Sequence, residues 1–167
     1  MNSILRYTGV FFLLITLQLL IFNNIEFSGY VNPYVYVMFI LILPFSIPSW
    51  LLLLLSFITG LAVDLFSGTL GVHTFATVMA GFVRPWILSL NVTAEVADPD
   101  LSPSSHRNGL WWFFIYTLTV VFIHHLTLFF IEIFSLTNFF HTLLRVILST
   151  AVTTFFIIIF DLIRPRR

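Results

Sequence analysis

The chain contains no cysteine, which excludes disulfides, thiolate metal sites and cysteine nucleophiles and leaves the redox compartment undetermined. It also lacks lysine: its seven basic residues are all arginine and are matched by seven acids. A formally neutral chain offers no polybasic surface for nucleic acid. Charge of either sign is scarce, at 8% of residues, where a soluble domain carries about a quarter. Recognisable chemistry is missing too. The sequence has no GxSxG, no HExxH, no P-loop and no paired intramembrane aspartates, so nothing in it supports an enzyme, a metal centre or a cofactor site.

What is present is hydrocarbon. Of 167 residues, 59% are hydrophobic, and the mean hydropathy is +1.06. This is the composition of an all-α integral membrane protein. A helix needs about 20 apolar residues to cross a bilayer core, and six such spans use most of the chain: about Ile4–Phe22, Tyr34–Ile47, Ser49–Phe66, Leu70–Leu90, Leu110–Phe134 and Thr142–Ile163. The first resembles a signal peptide, but Asn23, Asn24, Ile25 and Glu26 follow it in place of a small-residue cleavage site, so it reads as a retained helix. The second opens on Asn32-Pro33, contains Pro44 and closes at Pro48, which predicts a short, kinked helix packed against protein rather than lipid. Residues 1–167 therefore form one membrane domain. Its only extended polar stretch is Asn91–Asn108, with Glu95, Asp98, Pro99, Asp100 and Pro103, expected to be a mobile, mostly dispensable cytoplasmic loop.

Six spans place both termini on one side. With that side cytoplasmic, Arg6, Arg107, Arg164, Arg166 and Arg167 are inside, Arg84 lies in the inner half of the fourth span, and only Arg145 falls on the far side. This distribution obeys the positive-inside rule.

The residue to explain is Asp64. On the third span Ser56, Gly60, Asp64 and Gly68 recur at intervals of four, a face of small residues around one carboxylate, which in lipid costs roughly 2.5–3.5 kcal/mol on insertion scales. Small residues let a neighbouring helix approach closely. One reading is a tight helix interface with Asp64 capping the turn that follows; the other is a site coupled to a partner or ligand. Counting depth puts Asp64, His73, Glu132 and Arg145 at one outer level. That favours an ion pair of Arg145 with Asp64, Glu132 being second choice, against Arg145 snorkelling to headgroups. His124 and His125, with Glu132 further along, lack a second ligand motif and point about 100° apart; one buried histidine and one interfacial histidine are expected.

The order of features then matters: Asn32-Pro33, Pro44 and Pro48 around the second span, SFITGLAVDLFSGTLGVHTFA with Gly60, Asp64, Gly68, Gly71 and His73, and Arg84-Pro85. This resembles the MreD family, the rod shape-determining membrane proteins of bacteria, although Asn91–Asn108 departs from the short loops usual there. The resemblance implies a non-enzymatic member of the elongation machinery in the bacterial inner membrane. Its partner would be an MreC-type bitopic protein, and through it the MreB filament, a RodA-type glycosyltransferase and a class B transpeptidase. It also implies a fold like the S components of energy-coupling-factor transporters. With that fold comes an alternative: a vitamin-type transporter subunit that uses the polar cluster around Asp64 as its pocket.

Overall fold

The computed structural model describes residues 3–25, 31–69, 71–91, 101–134 and 138–164. Among them the elements are helical, with no strand: α1 (Ser3–Leu20), α2 (Met38–Leu41), α3 (Ser49–Ser67), α4 (Val72–Asn91), α5 (Ser105–Asn108), α6 (Leu110–Ile133) and α7 (Phe139–Ile163). A 3-10 turn, Phe22–Asn24, follows α1, and another, Val35–Val37, runs directly into α2.

Proline and glycine set the boundaries of α3. Pro48 precedes its first residue in an extended conformation, and the Pro48 carbonyl accepts the backbone N–H of Leu51 and of Leu52, both at 3.0 Å. At the other end Gly68 adopts a left-handed φ of 68°, a geometry that costs a residue with a Cβ. The chain reverses there, and α4 returns antiparallel.

Among the described residues four helices are long and apolar enough to cross a membrane: Ile4–Asn24, Ser49–Ser67, Leu110–Ile133 and Phe139–Ile163. Their outward faces agree with that. On α3 the large side chains Leu54, Phe57, Ile58, Leu61 and Leu65 are exposed, whereas Ser56, Thr59, Gly60 and Asp64 are buried. In water each exposed leucine would forgo roughly 1.5–3 kcal/mol of burial; against lipid tails it forgoes nothing. The protein is an integral membrane protein. The expected second span falls short of a crossing helix because its α-helical part ends at Leu41. The fourth, α4, has the length but dilutes its hydropathy with His73, Thr74, Arg84 and Pro85.

Helices α1, α3, α4, α6 and α7 pack as successive neighbours, and Phe22 meets Phe156 and Phe160 edge-on at 5.1 and 6.3 Å, closing the ring from α1 to α7. The broken second segment lies inside. From Val35 to Leu43 no residue exceeds 4% exposure, so the expectation that this segment packs against protein is met, in a form more broken than one kinked helix. Its start has no helical ladder, and side chains of the surrounding helices replace it. Asn32 N–H donates to Ser149 Oγ at 3.0 Å, Tyr34 N–H to Thr153 Oγ1 at 3.1 Å and Tyr36 N–H to Gln18 Oε1 at 3.3 Å, while Gln18 Nε2 donates to the Pro33 carbonyl at 3.1 Å. Irregular backbone is tolerated at membrane depth only when the protein satisfies it in this way.

Candidate functional site

Two buried ions mark the two ends of the bundle. The far end, where α3 finishes, holds Asp64, at 3% exposure. Its Oδ1 accepts Thr69 Oγ1 at 2.5 Å and His73 N–H at 3.1 Å, and its Oδ2 accepts Thr74 N–H at 2.8 Å and Thr74 Oγ1 at 2.5 Å. His73 and Thr74 lie in the first turn of α4, whose leading N–H groups have no intrahelical acceptor. Asp64 therefore caps α4 from the neighbouring helix, and the positive end of the α4 dipole compensates the carboxylate. His73 Nδ1 faces Asp64 Oδ1 at 3.1 Å and Thr69 Oγ1 at 3.0 Å. Thr69 gives its only hydroxyl hydrogen to Asp64, so both neighbours accept, and the network assigns the proton to Nδ1.

The glycines of the motif divide into two roles. Gly60 is buried at the α3–α4 crossing, where a Cβ would come within 2.7 Å of the His73 carbonyl oxygen and 2.8 Å of Thr74 N. The small face of α3 thus meets the protein's own α4. Gly68 and Gly71 have positive φ, 68° and 83°, with nothing within 4 Å of a Cβ; they turn the chain rather than admit a neighbour.

The expected Asp64–Arg145 pair is not formed. Arg145 instead pairs with Glu132, Nη1 to Oε2 at 3.0 Å, and lies over the Phe129 ring at 4.2 Å. The second choice was the partner. Depth alone cannot distinguish two carboxylates at one level, and Asp64 already has five donors from Thr69, His73 and Thr74. Arg145 does not snorkel freely, since its side chain is only 17% exposed.

Between these groups lies a core of rings. Tyr34 packs against His73 at 5.1 Å and His125 at 5.5 Å, and Tyr36 OH bonds His124 Nε2 at 2.9 Å. Both histidines are fully buried, which corrects the expectation of one interfacial histidine: α6 is flanked by α4 and α7, and the broken segment fills the angle between His124 and His125. A relay orients His125. Tyr34 N–H donates to Thr153 Oγ1, Thr153 lies 3.2 Å from His125 Nε2, and His125 Nδ1 faces the Val121 carbonyl at 2.9 Å, which requires the proton on Nδ1.

The near end, where α1 begins, is built around Arg84, at 1% exposure. Pro44 has no N–H, so the Ile40 carbonyl finds no helical donor there, and Phe45 N–H turns away to the Leu101 carbonyl at 3.1 Å. The carbonyls of the unwound stretch are left for side chains. Arg84 Nη2 donates to Leu43 O and, at 3.4 Å, to Pro44 O; its Nε donates to Tyr116 OH at 3.0 Å, and Tyr116 OH donates to Leu41 O at 3.0 Å. Sequence reading singled out Arg84 but missed Tyr116.

Asp161 was also missed, although a lone carboxylate late in an apolar helix is the same signal that flagged Asp64. It is fully buried and accepts Ser105 N–H at 2.7 Å and Ser105 Oγ at 2.6 Å, with Arg164 at 3.4 Å. Pro103, Ser104 and Ser105 are buried, and Tyr7 OH bonds Ser102 Oγ at 2.7 Å. The second part of the expected loop is therefore docked rather than mobile. Glu95, Asp98, Pro99 and Asp100 lie outside the described residues, as do Arg166 and Arg167. Both the start of α1, through Tyr7, and the end of α7, through Arg164 to the Pro103 carbonyl at 3.4 Å, meet this one segment.

Among the described residues no three histidine or carboxylate groups are placed to hold a metal. Compared with family models, curated proteins and solved structures, the chain matches none.

Proposed function

We propose that the protein is a non-enzymatic membrane adaptor of the bacterial elongation machinery, binding a single-span partner of MreC type. In this reading the broken second segment and α4 complete six crossings, and the near end faces the cytoplasm. The observation that carries it is the occupation of the interior: Asp64, Arg84, Arg145 and His125 each hold this chain's own backbone or side chains. A pocket for a vitamin-sized ligand would need such groups left available, so the transporter-subunit alternative loses the cluster it would have used. The outer apolar helix faces are available to act on other molecules, and membrane helices associate through such faces.

The test is purification of the tagged protein from its native membrane in mild detergent, with mass spectrometry of what accompanies it. A single-span partner at fixed ratio is the expected result. Saturable binding of a vitamin-sized compound without such a partner would overturn the reading. Orientation has its own test. Arg107→Cys, at an exposed position near the docked segment, should resist membrane-impermeant labelling in intact cells, while Asn24→Cys, exposed at the opposite end, should label.

A further inference from the structure

At the near end an open apolar groove of about 580 Å3 runs between α1, the chain from Leu43 to Pro48, and α3, with Tyr7, Phe11, Leu43, Pro48, Leu51 and Leu55 in its walls. It exists because of the prolines. Pro44 and Pro48 end the second segment early, so a thin turn of chain passes where a helix would have filled the space between α1 and α3. In a bilayer such a space takes up hydrocarbon.

Charged groups lie next to the groove wall at Tyr7. Arg6 stands over the Tyr7 ring at 6.0 Å, Tyr7 OH is bonded to Ser102 Oγ at 2.7 Å, and next to Ser102 the Pro103 carbonyl receives Arg164 at 3.4 Å. Arg6, on the lining residue Tyr7, and Arg164, on the segment that Tyr7 holds, thus belong to one connected set of contacts beside the groove. Arg164 sits beyond the last turn of α7, and burial lowers its pKa against the raising effect of Asp161, with Arg6 lowering it further. Arg6 makes no ion pair among the described residues, whereas Arg164 shares its charge with Asp161, whose Oδ1 lies 3.4 Å from Arg164 Nη2 while Oδ2 accepts the Ser105 N–H and hydroxyl.

We infer that this groove and its arginines form a binding site for one anionic phospholipid, an acyl chain lying along Tyr7, Leu51 and Leu55 and the phosphate between Arg6 and Arg164. Guanidinium forks match phosphate oxygens in geometry and charge, and basic pockets at helix ends are a recurrent way of holding anionic headgroups. Lipid tails are as apolar as the groove walls, so the chain adds packing rather than a hydrophobic gain. Selectivity between lipids therefore has to come from the headgroup. The site does not depend on the adaptor reading, since it can be assayed on the purified protein alone.

Native mass spectrometry of the protein in micelles holding equal amounts of phosphatidylglycerol and phosphatidylcholine, with matched palmitoyl-oleoyl chains, tests this. The wild type is expected to retain one phosphatidylglycerol with a several-fold preference. Arg6→Gln, which removes no ion pair among the described residues and should fold, is expected to erase that preference while keeping some lipid. Leu51→Trp, which fills the groove, should lower retention of both lipids. Equal retention of the two lipids by the wild type, or a preference unchanged in Arg6→Gln, would overturn the site. So would retention unaffected by Leu51→Trp.

Discussion

The far end of the bundle keeps a buried carboxylate and the near end a buried guanidinium, yet neither is neutralised chiefly by an opposite charge. Asp64 rests on N–H groups at the start of α4. Arg84 rests on carbonyls past the end of α2. A helix start offers donors with a partial positive charge and a helix end offers acceptors with a partial negative one, so each ion is complementary to the kind of broken end it meets. In this molecule backbone breaks select the charged side chains. The third buried ion, Asp161, follows the same rule by accepting the N–H of Ser105 in the docked segment.

The comparison can be broken first at Arg84. Arg84→Met leaves the Leu43 and Pro44 carbonyls without a donor, at roughly 1–3 kcal/mol each, so a loss on the order of 4 kcal/mol is expected in detergent unfolding. Arg84→Lys should recover only part, because an ammonium cannot reach Tyr116 and both carbonyls in one fork. A full rescue by lysine would show that charge, rather than geometry, is what the near end needs.

At the far end Asp64→Asn turns one acceptor atom into a donor facing Thr74 N–H or His73 N–H, and about 1.5–3 kcal/mol should be lost. Unfolding and hydrogen exchange at the first turn of α4 would read it, and unchanged protection of His73 and Thr74 would deny the cap. Gly60→Ala places a Cβ against the α4 backbone and is expected to cost about 1–3 kcal/mol. An Ala at Gly60 tolerated without loss would mean that α3 and α4 separate easily.

Smaller effects sharpen the pairing itself. Asp64→Asn and Arg145→Gln should combine additively to within about 0.5 kcal/mol, since the two side chains share no partner, whereas Glu132→Gln and Arg145→Gln should show a coupling. That coupling will be modest, about 0–1 kcal/mol, because the Glu132 side chain is 43% exposed and solvent screens the pair. Coupling of Asp64 with Arg145 in place of Glu132 would contradict the arrangement at the far end.

Much of this was legible in the amino-acid order. Asp64 identified itself by its cost in lipid, Gly60 by its spacing from Ser56, and the second segment by Pro44 and Pro48, which forbid a full helix wherever they occur. The partner of Arg145 was not legible, because Asp64 and Glu132 stand at similar depth and only the rotation of α3 and α6 about their axes separates them. Nor was the docking of Ser102–Ser105, whose polar composition matches that of a solvent loop until Asp161 and Tyr7 are found against it.

The sequence by itself determined the solvent and the breaks: a chain this poor in charge belongs in lipid, and its prolines and glycines interrupt helices through local sterics that need no partner. Tertiary structure alone decided how the breaks are satisfied. The donor for the Leu43 carbonyl lies 41 positions away on Arg84, and the acceptor for Thr74 N–H lies ten positions away on Asp64. Such partners are chosen by helix rotation and crossing, and these are fixed only when every helix packs against its neighbours and no unpaired backbone group remains exposed to hydrocarbon.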